Sequence, residues 1–379
     1  MPQQFRFIQS ADLHLGRRFG NLPEAVRGRL VEARHQILPR LAKAARDHGA
    51  ADIVLAGDTF DSETPGDPVR QQALNAMAAA AGIRWWILPG NHDSLAAEAL
   101  WEALLRTAPP NVTAITRPEP LAMAPGVVLL PAPLPRRRPG RDLTAWMVGA
   151  ATPEGALRLG LAHGPVQSFD EDGTGDDVIA PDRAETAGLD FLALGDWHGQ
   201  MRLGSRCWYA GTPEADGFRH TGRGGALAVT LAPGALPLVA RVETGLFHWH
   251  EAGLALVPGL DPATALASLV PEAAAARRDH LLRVRATGRA TLAAQQALRD
   301  AAARLEPDFA HFRLDTAALE TEIDAGDLDA LDRGGALRTA AEALSAQARD
   351  PARAVDARRV AAGALNRLYA YLADGGDGA

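Results

Sequence analysis

The chain has 379 residues, 47% apolar and 22% charged, enough to bury a sizeable core and to supply two or three domains. No apolar run reaches the roughly 18 residues of a membrane span, and the opening "MPQQFRFIQS" enters a strand at once without a basic-then-apolar leader, so a cytoplasmic protein is expected. A net charge of −7 excludes a protein that coats polyanions over its whole surface but leaves room for a local basic track. The single cysteine, Cys207, excludes an internal disulfide and a thiolate zinc cluster and reads as a small buried hydrophobe, so any metal must be held by oxygen and imidazole. In chain order, "FRFIQSAD" reads as a strand, residues 25–48 have helical periodicity, and "ADIVLAGD" is again strand-like. A helix over 68–81, the strand "RWWILPGN" and a helix over 95–106 follow. Next come "GVVLLPAP", an exposed loop at 134–140, the strand "LRLGLAHG", a polar loop at 168–177, and the strands "DFLALGD", "CWYAG" and "ALAVTLAPG". This alternation is α/β behaviour.

Past residue 245 the texture changes. "FHWHEAGLAL", "HLLRVRATG" and "AHFRLDT" are strand-like, separated by the helical "PATALASLV" and "TLAAQQALRDAAARL", which gives a small β-α-β-α-β domain. The remainder is Ala-rich helix, broken near "DRGG" and at Pro351, with Leu365, Leu368 and Tyr369 on one face. Three stretches result: 1–245, 246–318 and 319–379.

Polar residues recur where the strands of the first stretch end: Asp12 and His14 in "SADLHLG", Asp58 in "LAGDTFD", Asn91, His92 and Asp93 in "LPGNHD", His163 in "LAHG", Asp196 and His198 in "LGDWHG". Each alone has an ordinary explanation. Asp12 could be a turn or cap, Asn91 a helix cap, His163 a hydrogen-bonded core residue. Together, each after a β-like run, they form an ordered set, and in α/β sheets ligands gather at the carboxyl ends of strands. Gly57, Gly90, Gly164 and Gly195 beside them are expected to permit tight turns and close approach of a phosphate to the backbone.

The series D-x-H, G-D, G-N-H-D, H-G, G-D-x-H resembles the signature of the calcineurin-like metallophosphoesterases over residues 5–245. Within that superfamily the chain is most similar to the SbcD-type DNA double-strand-break repair exonucleases, through "SADLHLG", "GDTFD", the "ALG" before the last pair and "WYAGTPEADGF" after it. The resemblance implies a two-sheet αββα metallophosphoesterase sandwich over 1–245, a small α+β cap domain over 246–318 and C-terminal helices over 319–379. It implies two divalent ions, Mn²⁺ foremost with Mg²⁺, Fe²⁺ or Zn²⁺ as alternatives, one on Asp12, His14, Asp58 and His198, the other on Asp58, Asn91, His163 and Asp196. Such a pair activates a hydroxide and clamps the phosphate during an in-line displacement. His92 would donate a proton or stabilise the phosphate, and Asp93 would orient His92 or its loop. The family usually has histidine where Asp196 stands, so this carboxylate binds a hard ion directly or through water, leaving it more exchangeable.

DNA is the implied substrate, an SbcC-like coiled-coil ATPase the implied partner with the C-terminal helices as docking elements or simply core packing, and a homodimer is compatible. Two other readings stay open: a small-substrate phosphohydrolase, such as a cyclic nucleotide phosphodiesterase or phosphatase, and a non-catalytic scaffold. His248 and His250 read as solvated or packing residues, Trp85 and Trp86 as core, Trp197 as core or a support beneath the site, and Arg136 to Arg138 as a solvated loop able to bind DNA backbone.

Overall fold

The structure is a computed structural model that describes residues 4–166, 178–257, 259–322 and 335–374, with side chains described as far as residue 368. It divides into two compact units, Met1–Trp249 and His250–Ala379. The predicted loop at 168–177 and the break near "DRGG" lie outside the described residues, apart from Gly335.

The first unit opens with β1 (Phe5–Ser10), the helices α1 (Glu24–His35) and α2 (Ile37–Asp47), β2 (Asp52–Leu55), α3 (Asp67–Ala79), β3 (Arg84–Ile87), α4 (Glu98–Thr107) and β4 (Val112–Ala114). The single helix expected over 25–48 is two, because Pro39 has no N–H to give the carbonyl of His35 and its ring would clash there. Next come β5 (Leu121–Ala124), β6 (Val127–Ala132), β7 (Leu157–His163), α5 (Arg183–Thr186), β8 (Phe191–Gly195), β9 (Met201–Arg202), β10 (Cys207–Tyr209), β11 (Gly222–Leu231) and β12 (Leu238–Leu256), the last running on into the second unit.

Within the first unit one sheet has the order β12-β11-β1-β2-β3-β4, with β1 to β4 parallel. The other runs β5-β6-β7-β8-β10-β9, with β6, β7, β8 and β10 parallel. Period-two alternation sends successive side chains to opposite layers. Phe7, Val54, Trp86, Leu129, Leu159 and Phe191 fill the space between the sheets, and Phe7 meets Phe191 edge-on at 5.8 Å. Ile8, Ile53 and Trp85 face the other way, onto Leu41, Leu74 and Leu100 of the helices. Leu130, Leu192 and Leu194 cover the second sheet's outer face with Met147, Ala184 and Leu189. The fold is therefore an αββα sandwich, and the parallel strands of both sheets deliver their carboxyl ends to the polar motifs.

In the second unit β13 (His280–Thr291) and β14 (His311–Glu322) pair in parallel, joined by α8 (Leu292–Leu305); two short helices, α6 (Pro262–Ala267) and α7 (Ala274–Arg277), precede them. Thr291 caps α8 by accepting from Ala294 N at 3.2 Å. Leu254, Leu266, Leu282, Val284 and Leu298 form this unit's own core. The C-terminal helices α9 (Ala336–Arg349) and α10 (Val355–Asp374) bury Ala341 and Leu365 against Leu292, and Asn366 Nδ2 donates to Gln295 Oε1 at 3.0 Å. They pack against α8 of this unit. Among the described residues no helix is long and apolar enough to cross a membrane.

Candidate metal centre

Short backbone hydrogen bonds draw the strand ends together. Asp12 N donates to Gly57 O at 3.1 Å, His14 N to Asp58 O at 3.0 Å and Gly164 N to Gly195 O at 3.2 Å. His92 N donates to Asp58 Oδ1 at 2.8 Å, and Asp196 N approaches both carboxylate oxygens of Asp12 at 3.2 and 3.3 Å. The glycines serve this convergence of protein upon protein, not the approach of a phosphate: a Cβ on Gly90 would fall on the Asp58 carboxylate, and one on Gly195 on Ala56 O. Asp12, His14, Asp58 and Asp196 have positive φ, at 54°, 45°, 52° and 105°, a conformation that costs free energy and clusters at functional sites.

The free lone pairs of these side chains point inward. His163 Nδ1 lies 2.7 Å from Ala56 O and donates to it, which leaves Nε2 as an acceptor; that buried Nε2 has no hydrogen-bond partner. Asp58 Oδ1 is engaged by His92 N, while Oδ2 stands 3.8 Å from His14 Nε2 and 3.7 Å from His163 Nε2, between the two imidazoles. Asn91 Nδ2 donates to Asp196 Oδ1 at 3.0 Å, so the amide's other end, the buried and unpartnered Oδ1, is the one presented to the cluster. His14 and His198 bring their Nε2 atoms to 3.2 Å of each other. Their Nδ1 atoms face carboxylates, His14 toward Asp61 at 3.4 Å and His198 toward Asp216 at 3.2 Å.

The structure thus brings Asp12, His14 and His198 into one ligand-competent group, His14, Asp61 and His92 into a second, and Asp12, Asp58 and His163 into a third, with Asn91 and Asp196 beside the third. His248 and His250 join no such group among the described residues.

Charge follows the same logic. Burial pushes Asp12 up to about 7, an effect His163 and His198 oppose and Asp58 and Asp196 reinforce. Burial alone would lower His163, but the surrounding Asp58, Asp12 and Asp196 prevail and hold it up at about 9. His198 is likewise raised against its burial, by Asp216 and Asp12, whereas burial wins at His14 and lowers it. A cluster of buried carboxylates that draws protons onto its neighbours is short of positive charge. Orphaned acceptors at His163 Nε2 and Asn91 Oδ1, and a mixed oxygen and imidazole donor set, fit two divalent cations.

His92, outside both predicted ligand sets, shares a ligand-competent group with His14 and Asp61. Its Nδ1 lies 3.0 Å from the carbonyl of Asp61, and its ring meets His14 edge-on at 4.7 Å. Asp93 is fully buried and accepts from Gly90 N at 2.7 Å and Phe60 N at 3.0 Å; burial pushes it up to about 7. Each of its oxygens accepts a backbone N–H, which ties the loop that carries His92 to the turn at Phe60.

Sequence reasoning named no role for Asp61 and Asp216, although both sit in the quoted "GDTFD" and "YAGTPEADGF" segments. Asp216 also pairs with Arg17 at 2.8 Å. Against its burial, His198, Arg34 and Arg17 hold it well below the usual carboxylate range, so it remains an anion that orients His198. Beneath this layer, Thr212 Oγ1 donates to Asp12 O at 2.9 Å, and the fully buried Arg34 bridges Leu13 O and Glu214 O. The Glu214 carboxylate takes Arg40, Leu246 N and Phe247 N at 2.9, 2.7 and 2.9 Å.

A family model described as calcineurin-like phosphoesterase matches residues 5–200. No curated protein matches the chain significantly. Similar solved structures include a dimetal phosphatase from Danio rerio, at 12% identity and TM-score 0.41, covering 64% of this chain and 100% of that one. A purple acid phosphatase from yellow lupin (Lupinus luteus) seeds aligns at 11% identity and TM-score 0.41, covering 64% and 52% of the two chains. The calcineurin-like phosphoesterase YfkN from Bacillus subtilis aligns at 11% identity and TM-score 0.35, covering 64% and 92%. With the family model spanning more than half of its length, and with donors converging from five strand ends, the chain belongs to the calcineurin-like phosphoesterases and is a metal-using hydrolase of phosphoric esters.

Proposed function

We propose that this phosphoesterase is a DNA exonuclease that hydrolyses phosphodiester bonds with two divalent ions, Mn²⁺ in the first place, and that it works with an SbcC-like coiled-coil ATPase. The observation that carries the reading is an open groove of about 540 Å³ lined by His198, Arg219, Arg223 and Arg241. An open, arginine-lined track suits a chain of phosphates passing the site better than a small ester enclosed in a pocket.

Asp12, His14, Asp58 and His198 would hold one ion, and Asp58, Asn91, His163 and Asp196 the other. When bound, the ions supply a lowered pKa for water and Lewis-acid stabilisation of phosphate oxygens. Asp216 holds the Nδ1 side of His198, and the Asp61 carboxylate faces that of His14, so that both Nε2 atoms would stay turned to the centre. His92, anchored by an Nδ1–H to Asp61 O, would in its doubly protonated form give the Nε2 proton to the leaving alkoxide as the P–O bond breaks and a water oxygen takes its place on phosphorus.

End-labelled linear duplex and single-stranded DNA, incubated with Mn²⁺, provide the test. Progressive loss of the end label is expected, with His92→Ala lowering kcat by about 10²–10⁴-fold and Asp58→Asn lowering both activity and metal retention. Intact DNA beside a hydrolysed simple monoester would overturn the nuclease reading and leave the phosphoesterase in place.

A further inference from the structure

Trp197 stands between Asp196 and His198, so the turn that presents those two residues also fixes its indole. Two nitrogen-bearing side chains, one guanidinium and one imidazole, are braced on that ring. The imidazole of His220 meets it edge-on at 4.9 Å, and the guanidinium carbon of Arg219 lies 5.6 Å from its centre. The close approach of His220 depends on Gly199, where a Cβ would meet Trp197 Nε1 at 2.9 Å and His220 Nδ1 at 3.0 Å. Arg219 is exposed, and among the described residues no carboxylate lies within ion-pair distance of it. Both side chains line the groove together with His198. Of the other basic residues there, Arg223 gives its Nη1 to Leu246 O at 2.6 Å and keeps its remaining donors, and Glu243 lines the groove alongside Arg241.

A guanidinium laid on an indole keeps its planar fork of N–H donors free at little further entropic cost, and that fork matches phosphate oxygens. We propose that Arg219 and His220, floored by Trp197, form a subsite for the phosphate that neighbours the scissile one in a polynucleotide. The inference rests on the phosphodiesterase reading and adds to it where the substrate's next phosphate is held. It makes the enzyme favour a diester that carries an additional phosphate one nucleotide away, and it sets the spacing of the strand along the groove.

Thymidine dinucleotides without a terminal phosphate, with one at the 5′ end and with one at the 3′ end supply the test, each assayed for kcat/KM with the Mn²⁺-loaded full chain. The terminal phosphate at one of the two ends should raise kcat/KM about tenfold or more in the wild type. Arg219→Ala and His220→Ala should each erase most of that advantage, and Arg219→Lys should restore part of it, with melting temperatures unchanged. An advantage that survives in both alanine variants, or that is missing in the wild type while the plain dinucleotide or bis(4-nitrophenyl) phosphate is cleaved, overturns the subsite alone. A wild type that cleaves no diester overturns the phosphodiesterase reading and the subsite together.

Discussion

Asp196 takes two roles that a histidine would divide differently. Its Oδ1 accepts the Asn91 amide at 3.0 Å and lies 3.8 Å from His163 Nε2, so it both orients a neighbouring donor and adds negative charge to the third group. Asp196→Ala is expected to free the Asn91 amide and weaken the second ion about 10–100-fold, the usual cost of removing an orienting partner, while the first ion stays bound. Calorimetric titration with Mn²⁺ after chelator treatment reads this directly; loss of both ions, or of neither, contradicts it. Asp196→His should recover tighter binding at that site. The identity of the donors was open to inspection in "GDWHG" and "GNHD", because each closes an apolar run. The partners of their far sides were not. Whether Asp61 and Asp216 reach the Nδ1 atoms depends on ring directions, and spacing along a chain carries no such information.

At the level of elements, the strands that end in ligands were the legible ones, being apolar, flanked by glycine and buried on both faces. Short edge strands were not: Val112–Ala114 and Leu121–Ala124 lie among prolines and show little alternation. Pro39 was a visible signal for the break between α1 and α2 that periodicity alone overrides. Loops are fixed by side chains instead, and Asp142 shows how. It accepts from Thr144 N at 2.8 Å, Arg183 Nη2 at 2.8 Å and Ala180 N at 3.2 Å, tying its loop to α5. Burial would raise this carboxyl, but bonds from Thr144, Arg183 and Ala180 hold it below the ordinary 3.8. A depressed folded pKa contributes stability that is present above the unfolded value and lost as pH falls through the folded one. Asp142→Asn should therefore cost about 1–2 kcal/mol at neutral pH, with the gap between variant and wild type closing below the ordinary carboxylate range. Urea unfolding at pH 7 and at acid pH measures both; a gap independent of pH would rule the carboxylate charge out as its source.

For the molecule as a whole, the decisive contacts are between residues far apart in sequence, such as His14 and His198, 184 positions from each other. Order along the chain anticipated that they meet; the buried layer that makes them meet, Arg34, Thr212 and Glu214, offered no periodicity to read. That layer and the backbone bonds among the strand ends do not involve an ion. Removing metal with a chelator is expected to leave the far-ultraviolet circular dichroism unchanged, and restoring Mn²⁺ at about 100 times its Kd should add about 2.7 kcal/mol of stability for each ion bound, seen as a higher melting temperature. Collapse of secondary structure on chelation would show that the site is assembled by the ion and not by the chain.

Positive φ at Asp12, His14, Asp58 and Asp196 also bounds how this centre can drift over generations. Left-handed backbone is tolerated by Gly, Asn, Asp and His and resisted by β-branched side chains. The exchanges open to these positions are thus nearly all exchanges of one donor for another, with Gly the exception. An aspartate in the place of a histidine is one such exchange: the backbone that holds the ligands in position also filters their replacements, so that most neutral steps at this centre retune the metal rather than lose it.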